Sequence, residues 1–265
     1  MRAADCAAGG LAGRTVVVTR PAAQARGLAN AIERAGGRAL LFPAIEIGDI
    51  GDPQPVYAIL DRLETFDLAV FVSRNAVHKA FELLRTRRAS GWPPGLRVAA
   101  IGRGSALELE RQGISNVIVP PGEADSEALL ALPEFAAPAG RRVVIFRGAG
   151  GRELLGAALA ARGARVEHAE CYARARPQTD CAPLLAAWAR GAVDAVTVSS
   201  GEGLANFHAM IGERGREWLM RTPLFVPHPR VAGAAAGLGA DTVRTAGPGD
   251  SEVVAALVAY FRDAK

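Results

Sequence analysis

Six short segments gather most of the side chains that could hold an anion. They are Thr19-Arg20-Pro21, Ser73-Arg74-Asn75, Gly102-Arg103-Gly104-Ser105, Arg147-Gly148-Ala149-Gly150-Gly151-Arg152, Ser199-Ser200-Gly201 and His228-Pro229-Arg230. Each follows a short apolar run and precedes an Ala/Leu-rich stretch. Five of the six carry Arg, and most carry Ser or Gly. A guanidinium fork matches a carboxylate or phosphate, and the free N–H groups at a helix start add fixed positive ends. Together the segments predict binding of an anionic small molecule. A plainer reading stays open for the parts: Ser73 and Ser200 as helix N-caps, the arginines as solvated surface.

Tyr172, one of three tyrosines, stands at the end of a connecting segment in Glu170-Cys171-Tyr172. A phenol at a domain junction can donate a proton. It can equally seal that junction as an amphipathic side chain.

Other chemistries lack their residues. Arg147-Gly-Ala-Gly-Gly-Arg is glycine-rich but is not a dinucleotide fingerprint, and Glu167 is a poor match for the ribose-binding acid. No Walker A motif occurs, and Ser199-Ser200 lacks the frame of a nucleophile elbow. Cys6, Cys171 and Cys181 show no paired spacing, and the four histidines form no metal pattern. No metal or cofactor is expected from these residues.

The elements that must position the six segments repeat along the chain. Val16–Val18 with Arg20 recurs as Val143–Ile145 with Arg147, an offset of 127. Asp67–Ser73 recurs at the same offset as Asp194–Ser200. Val98–Gly102 with strand Val117–Val119 is matched by Leu224–Val226 with Val243, and Asp125-Ser126-Glu127 by Asp250-Ser251-Glu252. An ordered set at nearly constant offset indicates a duplicated α/β unit. Alternating strands and helices imply parallel sheets with right-handed crossovers. Gly36, Gly113, Gly163 and Gly239 each follow a helix where a left-handed C-terminal cap belongs. Extended segments Ala39–Ile47 and Arg165–Ala173 occupy equivalent places and could pair as a two-stranded connector.

The chain has 265 residues, half of them hydrophobic and 22% charged, enough for a large core or two small ones. Aromatic residues make up 6%, so Ala, Val, Leu and Ile must build that core. The net charge of +4 is too small to argue for nucleic acid. Only Lys79 and Lys265 are lysines, so nearly all the positive charge is arginine. The first residues lack the apolar run of a signal peptide, and residues 1–12 read as a disordered leader. No apolar stretch is long enough for a membrane span, and the cysteine usage suits a reduced cytoplasmic compartment.

Taken in order, Val17–Pro21, Phe42–Ile45, Phe71–Val77, Val98–Gly102 with Ser105, Gly122 with Asp125-Ser126, Arg147-Gly with Gly151-Arg152, Tyr172, and Val198–Ser200 with Asn206-Phe207 resemble the uroporphyrinogen-III synthase family. The resemblance runs over about residues 12–262. It implies two flavodoxin-like α/β domains joined by a two-stranded connector, with interleaved chain segments. The domains would be residues 13–38 plus 175–265, and residues 52–164, with 39–51 and 165–174 as connector strands.

It also implies a cofactor-free lyase. Hydroxymethylbilane loses its terminal hydroxyl as water, ring D is attacked at its substituted carbon, and a spiro intermediate recloses with that ring inverted. Tyr172 falls on the family's tyrosine, its general-acid candidate. Arg20, Ser73, Arg74, Asn75, Gly102, Arg103, Ser105, Arg147, Gly148, Arg152, Ser199, Ser200 and Arg230 become substrate-binding candidates. His228–Val231 departs from the family's hydroxyl-bearing turn, which puts a hydroxyl role there in doubt. A cytoplasmic monomer meeting hydroxymethylbilane synthase transiently, without nucleic acid or membrane, completes the expectation. The alternative is a non-catalytic two-domain binding protein for an anionic small molecule.

Overall fold

The computed structural model describes residues 9–122, 125–247 and 249–263. The chain divides into two compact units, Met1–Glu46 with Ala175–Lys265, and Ile47–Arg174. Among the described residues ten strands are numbered in chain order: β1 Thr15–Val18, β2 Arg38–Leu41, β3 Glu46–Gly48, β4 Leu68–Phe71, β5 Arg97–Ala100, β6 Arg142–Gly148, β7 Arg165–Ala175, β8 Ala195–Thr197, β9 Leu224–Val226 and β10 Val243–Thr245.

The first sheet has the order β10-β9-β8-β1-β2, and its pairs are parallel. The second has the order β3-β7-β6-β4-β5, with parallel pairs from β7 through to β5. Central strands are buried on both faces and read as unbroken apolar runs. In β1, Val17 joins the core on one face while Val16 and Val18 join the core on the other. In β4, Ala69 and Phe71 divide from Leu68 and Val70 in the same way.

The repeat is laid out in the sheets. β1 and β2 occupy in the first sheet the places that β6 and β7 occupy in the second. β8 and β9 correspond to β4 and β5. Each sheet therefore combines strands from both repeats. Both have a topological switch point, between β1 and β8 and between β6 and β4, where parallel sheets host ligands beyond the strand ends.

Sequence-local rules account for the helices. Helix Ala22–Arg34 buries Ala25, Leu28, Ala29 and Ile32, a one-faced spacing. It ends in a Schellman turn: Gly36 N–H bonds Glu33 O at 2.9 Å and Gly37 N–H bonds Ile32 O at 3.0 Å. Gly36 takes φ 86° and its repeat partner Gly163 takes 88°, a conformation that costs any residue with a Cβ.

Some expectations change. Residues 1–8 of the expected leader lie outside the described residues, but Leu11 is fully buried and its N–H bonds Ala35 O at 2.9 Å. Residues 9–12 are thus part of the fold. The segment Ala39–Ile47 is not one strand. It breaks at Phe42–Ile45, where Pro43 has no N–H to give a ladder. Its first part, β2, is an edge strand of the first sheet, while β3 lies beside β7 in the second. Val117–Val119 shrinks to one parallel bridge, Ala99 with Ile118. Asn116 at φ 57° and Pro120-Pro121 leave too few extended residues for more.

Candidate active site

In the second unit the expected segments meet at the carboxyl edge of the sheet. Ser73 follows β4, Gly102 follows β5, and Arg147-Gly148 ends β6. β7 runs alongside with a register shift between Arg147 and Gly148: Arg147 faces Glu170, but Gly148 faces Tyr172. Cys171 is the extra residue of this bulge. An extra residue reverses the alternation of a strand. Ala169, Cys171 and Tyr172 consequently all enter the same core. Tyr172 is 1% exposed, so its ring is fixed by packing.

The phenol crosses β6 to reach β4. Its hydroxyl lies 3.0 Å from Ser73 Oγ. Gly148 makes the crossing possible, because a Cβ there would stand 2.7 Å from two ring carbons of Tyr172. Ser73 caps helix Arg74–Arg87, its Oγ accepting from Ala76 N–H at 3.1 Å. On the other side Arg174 Nη2 donates to the phenol oxygen at 3.0 Å, and its guanidinium carbon stands 5.3 Å from the ring centroid. Sequence reasoning missed Arg174. Its signal was there in the i, i+2 spacing from Tyr172 on a strand, which puts both side chains on one face.

The arginines divide by burial. Arg74 and Arg103 are exposed, and the Arg74 stem passes Gly104, where a Cβ would stand 3.5 Å from its Cδ. Asn75 is half-buried in the same turn. Arg147, at 4% exposure, is engaged: it bonds Gly151 O at 2.9 Å and Glu153 Oε1 at 2.7 Å, and lies 3.2 Å from Glu170. Hydrogen bonding to Arg147 holds the Glu153 carboxyl below the usual carboxylate range. Arg147 thus braces the loop that follows it. Arg152 pairs with Glu127 at 3.1 Å. Ser105 is 6% exposed and turned into the fold. The Cys171 thiol is pushed up to about 12 by burial, which leaves it protonated and unsuited to nucleophilic work.

In the first unit, Ser200 caps helix Gly201–Met210, accepting from Gly203 N–H at 3.0 Å, and Ser199 is exposed beside it. Arg20 is buried and paired with Asp250. Asn206 Nδ2 bonds Ala44 O at 3.0 Å and so ties Phe42–Ile45 to that helix. At the departing turn, His228 takes over the cap: its Nδ1 accepts from Arg230 N–H at 3.1 Å. Pro229 lies in the first turn of the helix, where its missing N–H is not needed. The exposed Arg230 side chain stands at that helix start.

Comparison with known proteins decides the family. The family model described as Uroporphyrinogen-III synthase HemD matches residues 26–250. The chain belongs to the uroporphyrinogen-III synthase family. It is 37% identical to the uroporphyrinogen-III synthase of Salmonella typhimurium over 91% of this chain and 98% of that one. For the Escherichia coli protein of the same name the identity is 36%, again over 91% and 98%.

Solved structures agree on the fold. A mutant uroporphyrinogen III synthase from Thermus thermophilus superposes with a TM-score of 0.63 at 22% identity, covering 94% of this chain and 98% of that one. The Helicobacter pylori uroporphyrinogen-III synthetase gives 0.55 at 15% identity, over 93% and 99%. The family's α/β architecture with two parallel sheets is the one described above. Among the described residues no helix is long and apolar enough to cross a membrane, and no group of three or more His, Cys, Asp or Glu is placed to hold a metal.

Proposed function

We propose that the chain is a uroporphyrinogen-III synthase, a lyase that cyclises hydroxymethylbilane to uroporphyrinogen III with loss of water and inversion of ring D. The observation that carries this reading is the near full-length match to enzymes of that name, at 37% identity over 98% of the Salmonella protein. The Tyr172–Ser73 pair fits the chemistry at the step that needs an acid.

The Tyr172 O–H gives its proton to the terminal hydroxyl of the substrate. The carbon–oxygen bond breaks, its electron pair leaves with water, and the pyrrole nitrogen supplies the electrons that form the azafulvene cation. That carbon bonds to the substituted carbon of ring D, giving the spiro intermediate. Fragmentation and reclosure invert the ring, and the proton lost on rearomatisation restores Tyr172. Positioning does the rest, because the uncatalysed chain closes without inversion.

The eight substrate carboxylates need many weak anchors. In the second unit exposed Arg74 and Arg103 supply cations, and the starts of helices Arg74–Arg87 and Arg103–Arg111 supply N–H groups beside Ser73, Asn75 and Gly102. The first unit by itself offers exposed Arg230 and the starts of helices Gly201–Met210 and Pro229–Gly237, beside Ser199 and Ser200. Buried Arg20, Arg147 and Ser105, exposed Arg152 paired with Glu127, and Gly148 against the Tyr172 ring complete the candidate set. The same reading makes the protein a cytoplasmic monomer. It would meet hydroxymethylbilane synthase transiently, because the substrate is unstable in free solution.

The test is to add the protein to freshly made hydroxymethylbilane and separate the oxidised uroporphyrin isomers. The expected product is the type III isomer, and Tyr172→Phe is expected to lower turnover by about 10²-fold with the thermal transition retained. Type I isomer alone from folded protein would remove the catalytic claim and favour an anion-binding protein.

A further inference from the structure

We propose that Arg174 is a positioning residue for the reaction, holding the Tyr172 phenol so that its proton points out toward the substrate. This rests on the reading of Tyr172 as the proton donor. Three observations carry it. Arg174 donates to the phenol oxygen at 3.0 Å and stacks on the same ring. Ser73 Oγ stands 3.0 Å from that oxygen, and one of its own lone pairs is taken by Ala76 N–H. Tyr172 itself is buried and packed, so its oxygen has one place to be.

The hydrogen-bond inventory then sets the direction of the proton. A guanidinium has no acceptor, so the phenol oxygen must accept from Arg174. When Ser73 also donates to it, both lone pairs are filled and the phenol O–H is left to donate elsewhere. The cap geometry favours this arrangement, because Ser73 already accepts from its helix and has its own hydroxyl hydrogen to give. After the proton has moved, the phenolate keeps two donors, one of them cationic, at the N-terminal end of helix Arg74–Arg87. Donors that bind the oxygen more strongly once it is charged lower the barrier to the transfer. The bulge at Cys171 sets the face on which Tyr172 lies, and Arg174, two residues on, shares that face.

The experiment is a double-mutant cycle on steady-state turnover of hydroxymethylbilane, with Tyr172→Phe, Arg174→Met and both. Arg174→Met is expected to lower kcat about tenfold with KM changed less than twofold. Arg174→Lys, which keeps a charged donor, is expected to recover part of that loss. In the Tyr172→Phe background there is no phenol oxygen to hold, so adding Arg174→Met is expected to change nothing further. If Arg174→Met instead raises KM alone, and does so again in the phenylalanine background, Arg174 binds a substrate carboxylate and the inference falls while the Tyr172 reading stands. If Tyr172→Phe turns over at the parent rate, the donor reading fails and takes this inference with it. Should the methionine variant lose its cooperative thermal transition, Arg174→Gln replaces it in the same cycle and is judged by the same outcomes.

Discussion

At the scale of single residues, Gly148 governs the site by what it lacks. The sequence places it in a glycine-rich loop after a strand, where close approach to an anion is the natural expectation. The structure gives it another neighbour, the Tyr172 ring. Gly148→Ala would put a methyl carbon 2.7 Å from Cε2 and Cζ of a side chain that is itself buried in the core. The ring must move, and the hydroxyl moves with it away from Ser73. Such overpacking costs about 1–3 kcal/mol of stability. A displacement of about 1 Å at a reacting group costs about 10²-fold in rate. Gly148→Ala is therefore expected to lose kcat far beyond its loss of stability, read by turnover beside thermal unfolding. Equal KM and kcat with a lowered Tm would show that the phenol position does not limit the reaction. The arginines teach the same lesson. Arg20 and Arg147 carry the same sequence signal as Arg74 and Arg230, but they are buried and ion-paired where the other two are exposed. Burial depends on which carboxylates the fold brings near, and local spacing cannot report that.

At the scale of elements, more was legible. Strand runs, their order and the four glycine-terminated helices follow from short-range rules, and all four glycines take positive φ. The strand expected from Val117 to Val119 is reduced to one bridge, because Asn116 and the two prolines interrupt the extended run. The bulge in β7 left no trace in the sequence, since it depends on pairing with β6. The same strand carries an electrostatic tie on its outer part. Arg62 Nη1 and Nη2 bond Glu167 at 2.9 and 2.6 Å, and Arg142 stands 3.6 Å away. The hydrogen bond from Arg62 holds the Glu167 carboxyl below its ordinary value of 4.5. A carboxyl with a depressed folded value stabilises the fold above its unfolded value and loses that contribution as pH falls through the folded one. Both partners are more than a third exposed, so screening limits the tie to about 1 kcal/mol. Glu167→Gln is expected to lower stability by that amount at pH 7. The difference from the parent should shrink below pH 4.5 and vanish once the parent carboxyl is protonated. Urea unfolding across pH 2–7 reads both limbs, and a gap independent of pH would place the effect in packing.

At the scale of the molecule, the repeat and the compact units divide the chain differently. Self-similarity alone suggests a cut near residue 140. The compact units are Ile47–Arg174 and the remainder, and a cut at 140 would separate β1 from β8 and β4 from β6, the central pairs of both sheets. A fragment of residues 47–174 keeps β4 to β7 and two apolar clusters, one on each side of their sheet. It lies in the normal size range of a domain, and it is expected to unfold cooperatively on its own. A fragment of residues 1–140 is the harder case, because it holds an equivalent of every strand in one sheet, with β1 and β2 able to stand in for β6 and β7. The side chains argue against that substitution. Phe146 stacks on Phe71 at 4.7 Å and lies 6.1 Å from Trp92, whereas its repeat equivalent in the first half is Thr19. Thr19 instead bonds Thr197 O in its own sheet. Replacing a buried phenylalanine by a small side chain costs about 3–5 kcal/mol, a large share of the roughly 5–15 kcal/mol that holds a domain together. The 1–140 fragment is therefore expected to show no cooperative transition. A sharp transition with native-like near-ultraviolet signal would mean that the two repeats remain interchangeable, and that the exchange of strands between them is not enforced by their cores.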